Sequence, residues 1–320
     1  MTMFIDTSEV KSKRICSRQH LLSSRNRLHL RPKVTPPAFV TGKIFHDAMH
    51  NMYLGVSLED TMKVVKSRMQ SEADNALLAM IPGYFREVLH EDLDRFQVLD
   101  IEHRFTFKPT DREGNELDIG IVITGSIDML VLERATRKLF GFEHKSAKTF
   151  RDPSYLWMDE QPRVYTEALK RYVVEYNKKH PTEDPITLGG IYINEVKKLL
   201  RDFKYKRSLC TYPADDMLNF MEMFYETCLE IKCASEFNDR GNPCPGYMSC
   251  QMCSYVSICS TYMYSTINLE ALLEEFVEEF EVRSEDHLAE DKGGLESKIT
   301  QVRIEAGMLE AAVSAEEVTP

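Results

Sequence analysis

Asp128, in the run GSIDML, is followed fifteen residues later by the triplet Glu143-His144-Lys145, with the turn-forming segment ATRK between them. Both runs alternate apolar and polar residues and are rich in β-branched side chains, which is the pattern of two strands of a hairpin. Residues two apart in a strand share a face, so Glu143 and Lys145 project together while the His144 side chain turns away. Asp128 on the neighbouring strand, with the His144 backbone carbonyl, completes a hard oxygen set suited to Mg²⁺ or Mn²⁺. Such a set supports hydrolysis of a phosphodiester: cation charge acidifies a water and offsets charge on the phosphorane, while Lys145 orients or deprotonates the water.

Two further pairs fit this chemistry. Gln161 and Tyr165 are four apart on a helix following the strands, hence on one face, where they reach substrate or metal-bound water. Gly42 and His46 repeat that spacing on an earlier helix, where the His46 imidazole adds a ligand and tilts selectivity toward Mn²⁺. The competing reading makes Glu143 and Lys145 an edge-strand ion pair, Asp128 a turn cap and His46 a core histidine.

The cysteines form a second constellation. Cys250-x2-Cys253-x5-Cys259 is a compact triplet in a Cys/Pro/Gly-rich loop, and thiolates at that spacing gather around one metal centre. A fourth ligand comes from Cys244, six residues upstream, or from distant Cys16. Spacing alone favours Cys244 and Zn²⁺. Cys210, Cys228 and Cys233 lie in strand or helix patterns and are expected to be buried thiols.

The elements that must position these residues follow from hydrophobic periodicity. A basic N-terminal segment spans 1–41, and a helical region carrying Gly42 and His46 spans 42–96, with helix from about 42 to 53 and from about 58 to 89, interrupted near Pro82-Gly83. A core over 97–233 opens with a three-stranded antiparallel meander. It continues with a helix from about 159 to 177, the strand ITLGGIYINEV, a short strand around 203–209 and a helix over about 217–231. A Cys-rich region occupies 234–267. An acidic tail over 268–320 begins with an amphipathic helix from Leu269 to Val282 and includes a second candidate helix over 299–312.

Composition sets limits on function. The 320 residues are 43% hydrophobic, enough for a buried core, and no apolar run approaches the roughly 20 residues of a membrane span. The polar, basic start lacks a secretory signal, so a cytoplasmic chain with reduced thiols and no membrane association is expected. The net charge of −11 is carried by the tail, where fifteen acids face four bases. The first forty residues carry eight Lys/Arg, and Arg14, Arg18, Arg25 and Arg27 are candidates for DNA phosphate contact, although a solvated helical face explains them equally well. The acidic tail is read as a solubilising segment, a competitor for the basic groove, or a dock for a replication or recombination protein.

In order and rough spacing, Gly42-x3-His46, Asp128 in GSID, Glu143-x-Lys145 and Gln161-x3-Tyr165 resemble the RecB-like PD-(D/E)XK nucleases over about residues 8–260. The resemblance implies an α/β, restriction-endonuclease-like fold: a mixed central sheet flanked by helices, with a helical N-terminal insertion and a C-terminal Cys-rich cluster loop. It also bears on the cysteines. CRISPR-associated exonucleases and the AddB subunit of helicase-nucleases carry one cysteine before the GxxxH helix and three near the C-terminus, and those four bind a [4Fe-4S] cluster. Cys16, Cys250, Cys253 and Cys259 match that set, with Cys244 the alternative fourth ligand and Zn²⁺ the alternative metal. The implied activity is a metal-dependent DNA exonuclease or end-processing nuclease, acting on single strands or duplex ends in recombination, repair, replication or CRISPR spacer acquisition. Without a helicase P-loop it is expected to work as a stand-alone nuclease. A catalytically silent DNA-end-binding scaffold and a zinc-stabilised protein–protein adaptor are the alternatives from other classes.

Overall fold

The computed structural model describes residues 2–181, 184–236, 241, 250–262 and 267–283. Cys244 and the 299–312 helix fall outside these residues. In chain order the elements are β1 (Met3–Ile5), α1 (Thr7–Ile15), α2 (Ser17–Ser23), β2 (Leu30–Pro32), α3 (Pro37–Tyr53), α4 (Leu58–Arg68), α5 (Leu77–Tyr84) and α6 (His90–Arg95). Then come β3 (Phe96–Phe107), β4 (Ile121–Glu133), β5 (Lys138–Ala147), α7 (Pro153–Met158), α8 (Glu160–Lys179), β6 (Thr187–Lys197) and β7 (Tyr205–Cys210). The last are α9 (Ala214–Glu236), α10 (Val256–Thr261), α11 (Leu269–Glu275) and β8 (Phe280–Val282). The chain divides into two compact units, each discontinuous in sequence.

Among the described residues, unit 2 comprises Pro36–Arg104 and Ser126–Thr211. Its sheet is mixed: β3 pairs with β4, β4 runs antiparallel to β5, β5 parallel to β6, and β6 antiparallel to β7. The expected succession of three strands is therefore present, and helices flank the sheet as the fold class requires. The apolar stripes of α3, α4 and α5 supply Phe45, Met49, Met52, Val65, Leu77 and Tyr84 to a core completed by strand residues Met129, Val131, Phe140 and Phe142. Each such side chain contributes roughly 1.5–3 kcal/mol by leaving water. Helix α8 starts where Asp159 accepts a hydrogen bond from the Gln161 amide, 3.3 Å away, satisfying an otherwise orphaned donor.

The region around Pro82 departs from expectation. Pro82 lies inside α5 rather than breaking it, and a π-helical turn at Phe85–Leu89 leads into α6. A proline removes one intrahelical donor and crowds the preceding turn, a cost that falls in the first turns of α5 and leaves Met80, Ile81 and Tyr84 in the core. Gly83 cannot be larger, because a Cβ there would sit 2.4 Å from the Phe203 ring.

Unit 1 comprises the described residues within 2–35, 105–125 and 212–283. Strand β1 pairs in parallel with the Ile121–Ile123 part of β4, and β2 pairs antiparallel with β8. Leu22, Leu30, Tyr255, Ile258, Leu272, Phe276 and Phe280 form its small core. The helix expected over Leu269–Val282 is shorter than its periodicity suggested. It ends at Glu275, and Phe280–Val282 becomes a strand, since pairing with Leu30–Pro32 satisfies its backbone while burying Phe280.

Candidate active site

The site is built where two paired strands part. The β4–β5 register runs from Leu132↔Leu139 to Met129↔Phe142. One residue beyond, Asp128 Oδ2 accepts a hydrogen bond from the His144 backbone N–H at 2.7 Å, so a carboxylate stands where a main-chain acceptor would continue the ladder. In a strand the N–H and C=O of one residue point to the same edge, which directs the His144 carbonyl toward Asp128 as well. From α3, His46 brings Nδ1 to 3.3 Å from the same Asp128 oxygen. From α8, Gln161 Nε2 donates to Glu143 Oε1 at 3.2 Å and to Tyr165 Oη at 2.6 Å. Lys145 Nζ donates to Glu143 Oε1.

All six side chains singled out in the sequence, His46, Asp128, Glu143, Lys145, Gln161 and Tyr165, thus converge within unit 2. The alternation expected for β5 also holds. The His144 ring turns to the opposite face, between Tyr53 and Tyr84 at centroid distances of 5.7 and 6.0 Å, and is fully buried. Gly42 has no steric requirement from the protein itself, since a Cβ there would meet only Ser146 Oγ at 3.9 Å.

The electrostatics are those of a site short of positive charge. Burial first, and the Asp128 charge second, push the Glu143 carboxyl up to about 7, an effect only partly offset by Lys145. Burial also raises the Asp128 carboxyl, but the His46 hydrogen bond and charge outweigh it and hold the group well below the usual carboxylate range. For Lys145, burial lowers the pKa, yet the charges of Glu143 and Asp128 prevail and raise it. Glu143 Oε2 is buried with no hydrogen-bond partner, although a buried carboxylate oxygen left bare costs about 1–3 kcal/mol.

Several polar residues of this site carry no motif and were missed from the sequence. His50, one turn after His46, has a donor atom within 4.8 Å of those of His46 and Asp128, a group that can hold a metal ion. Glu195 on β6 lies in register with Lys145, is fully buried, and accepts from the Arg151 backbone and Nε at 3.2 and 3.1 Å. Arg151 also donates to Asp159 at 3.1 Å, coupling the N-cap of α8 to the sheet. On the opposite face, Arg207 binds Asp92 through two 2.6 Å hydrogen bonds and lies over the Phe142 ring. The one signal available was an acid within an otherwise apolar strand: Glu195, in IYINEV, is as conspicuous as Glu143 in LFGFEH.

Unit 1 carries Cys16, Cys250, Cys253 and Cys259. Cys16 sits at the junction of α1 and α2, and its electrostatic influence, with that of Cys250, reaches both Cys253 and Cys259. Burial first, then the neighbouring sulfurs, push the Cys253 thiol up; burial also raises Cys259, with Arg18 opposing. Cys210 and Cys228 are buried as expected, whereas Cys233 is exposed near the end of α9.

The four N-terminal arginines are engaged within unit 1. Arg14 donates to Thr227 Oγ1 and the Met223 carbonyl, Arg18 to the Tyr262 carbonyl, and Arg27 to the Ala234 carbonyl, while Arg25 pairs with Asp6. Arg18 is only 2% exposed, a position that does not fit phosphate contact. Among the described residues, no helix is long and apolar enough to cross a membrane.

The family model of the PD-(D/E)XK nuclease superfamily matches residues 7–260. The chain belongs to that superfamily. Its broad class is therefore nuclease, DNA is the substrate the family implies, and the mixed sheet of unit 2 with its flanking helices is the fold of that class. Among solved structures, the nuclease is similar to a candidate exonuclease from Eubacterium rectale, at 11% identity over 84% of this chain and 92% of that one, with a TM-score of 0.47. It is also similar to SSO0001, at 10% identity over 82% and 96% of the two chains, with a TM-score of 0.30. At these values neither likeness bears on activity. No curated protein matches the chain.

Proposed function

We propose that this nuclease is a metal-dependent DNA exonuclease or end-processing enzyme serving recombination, repair or replication. The observation that carries the reading is Glu143: a buried carboxylate with one bare oxygen, beside ionised Asp128 and the His46 imidazole. Two carboxylates, an imidazole and a main-chain oxygen fit a divalent cation, and His46, Asp128, Glu143 and the His144 carbonyl would hold Mg²⁺ or Mn²⁺. The ion, when bound, supplies the charge that acidifies water and neutralises the phosphate. Lys145, tethered to Glu143 and kept as an ammonium by the charges of Glu143 and Asp128, orients that water as a hydrogen-bond donor, and Gln161, anchored on Tyr165, fixes the Glu143 carboxylate.

Substrate recognition falls on the stretch after β5 and on β6–β7. Tyr155 and Trp157 are exposed on α7, with the Arg163 guanidinium 5.7 Å from the Trp157 ring and Lys197 5.8 Å from Phe150. Aromatic faces interleaved with Lys148, Lys197 and Lys198 suit stacked bases and a phosphate backbone, which favours single strands or frayed ends.

Cys16, Cys250, Cys253 and Cys259 form the thiolate set for a [4Fe-4S] cluster. Cys16 and Cys250 each act electrostatically on both Cys253 and Cys259, which supports one centre shared by the four sulfurs. The cluster would cross-link the start of unit 1 to its end. Anaerobic purification, iron and sulfide analysis, and degradation assays on labelled single- and double-stranded DNA with Mg²⁺ or Mn²⁺ test both parts. A colourless zinc protein would refute the cluster, and degradation that survives Asp128→Ala would refute the site.

A further inference from the structure

Beside the proposed catalytic site, α3 and β3 assemble a second set of donors that neither the family motifs nor the proposed reaction uses. Asp47 and His50 lie three apart on α3, hence on one face, and Glu102 reaches them from β3. The ligand atoms of Asp47, His50 and Glu102 all lie within 4.8 Å of one another. His50 Nδ1 is 3.6 Å from Glu102 Oε1. The ring is only 8% exposed, and its Nε2 is buried with no hydrogen-bond partner. Glu102 holds a positive φ of 51° within a strand, a conformation that a residue with a side chain rarely adopts. Asp47 Oδ2 is 2.7 Å from Arg68, which leaves the other oxygen for a second partner.

We propose that Asp47, His50 and Glu102 form a second divalent-cation site. Two carboxylates with one imidazole select a first-row ion such as Mn²⁺ over Mg²⁺ or Ca²⁺, because a nitrogen donor favours the softer ion. A bound cation accounts for three features at once: the buried imidazole whose Nδ1 faces Glu102 at 3.6 Å, beyond hydrogen-bond distance, the close approach of two carboxylates, and the re-aimed backbone of Glu102. His50 also belongs to the His46–Asp128 group, so this site adjoins the catalytic one and makes unit 2 a two-cation protein. The inference rests on these donors and not on the nuclease reading.

The test is a Mn²⁺ titration of the full chain, purified anaerobically and freed of loosely bound ions with EDTA, with free Mn²⁺ read by electron paramagnetic resonance. Wild type is expected to bind two Mn²⁺ per chain. Glu102→Gln and Asp47→Asn should each keep one site at wild-type affinity and weaken the other about 10- to 100-fold. Asp128→Asn should weaken the complementary site. Retention of one intact site in each variant shows that the fold survives. Glu102→Gln and Asp47→Asn that bind Mn²⁺ with the stoichiometry and affinities of wild type would overturn the proposal. Loss of nuclease activity alone, with two ions still bound, would count against the catalytic reading and leave this one standing.

Discussion

Glu9 in unit 1 and Glu143 in unit 2 meet the same physical problem and solve it differently. Each is nearly sealed from water, each has a neighbouring aspartate, Asp6 or Asp128, and each carboxyl is pushed up to about 7 with burial as the main cause. The Glu9 oxygens are saturated. Oε1 accepts from Ser24 at 2.5 Å, and Asn26 donates to both oxygens at 3.3 and 3.1 Å. In Glu143, Oε1 is held by Lys145 and Gln161 while Oε2 is bare. Burial and a raised pKa therefore do not mark a functional acid by themselves. What separates the two is Oε2, partnered in Glu9 and bare in Glu143.

Breaking each side of this comparison should give opposite outcomes. Glu143→Gln is expected to lower kcat on DNA by about 10³-fold or more, since a cation ligand is lost, while thermal stability at pH 8 is maintained or raised because a buried charge is removed. Cys16→Ser should abolish the iron content and lower stability by about 2–5 kcal/mol, as loss of a cross-link does, measured by metal analysis and denaturant unfolding. Trp157→Ala should weaken binding of single-stranded DNA by about 1–3 kcal/mol with kcat little changed, read as KM against kcat. Gln161→Ala removes one hydrogen bond to Glu143 and should cost about 0.5–1.5 kcal/mol in kcat, a reduction of roughly two- to tenfold.

The smallest effect belongs to Glu9→Gln, which should leave nuclease activity unchanged. Its signature is a pH dependence of stability. Below the ordinary value of 4.5, Glu9 is protonated in both folded and unfolded chains; between 4.5 and about 7 only the unfolded chain ionises, so wild-type stability falls as pH rises. The stability difference in favour of Glu9→Gln should therefore open from about pH 4.5 and level off above about pH 7. Parallel unfolding curves at pH 4.5 and 8 would contradict this.

Much of unit 2 was legible in the sequence because its signals are local. Period-two alternation located β3, β4 and β5, and an i, i+2 spacing sufficed to place Glu143 and Lys145 on one face. What was not legible depends on contacts between distant segments. His50 has no distinguishing neighbours in sequence and becomes notable only because α3 carries it to Asp128 and Glu102. Likewise, helical periodicity in Leu269–Val282 was outweighed by pairing with a strand some 250 residues away, from Leu30↔Val282 to Pro32↔Phe280. The basic N-terminal arginines illustrate the same limit: composition suggested a phosphate-binding face, and packing turned the side chains to carbonyls and carboxylates within unit 1.

The most direct test of the central claim is degradation of end-labelled single-stranded DNA by the anaerobically purified full chain with Mn²⁺, comparing wild type with Lys145→Ala. The wild type should shorten the strand progressively from an end, and Lys145→Ala should do so about 10²- to 10⁴-fold more slowly while remaining folded. A wild type inert with both Mn²⁺ and Mg²⁺, or a Lys145→Ala variant as fast as wild type, would contradict the assignment of catalysis to the Asp128–Glu143–Lys145 site.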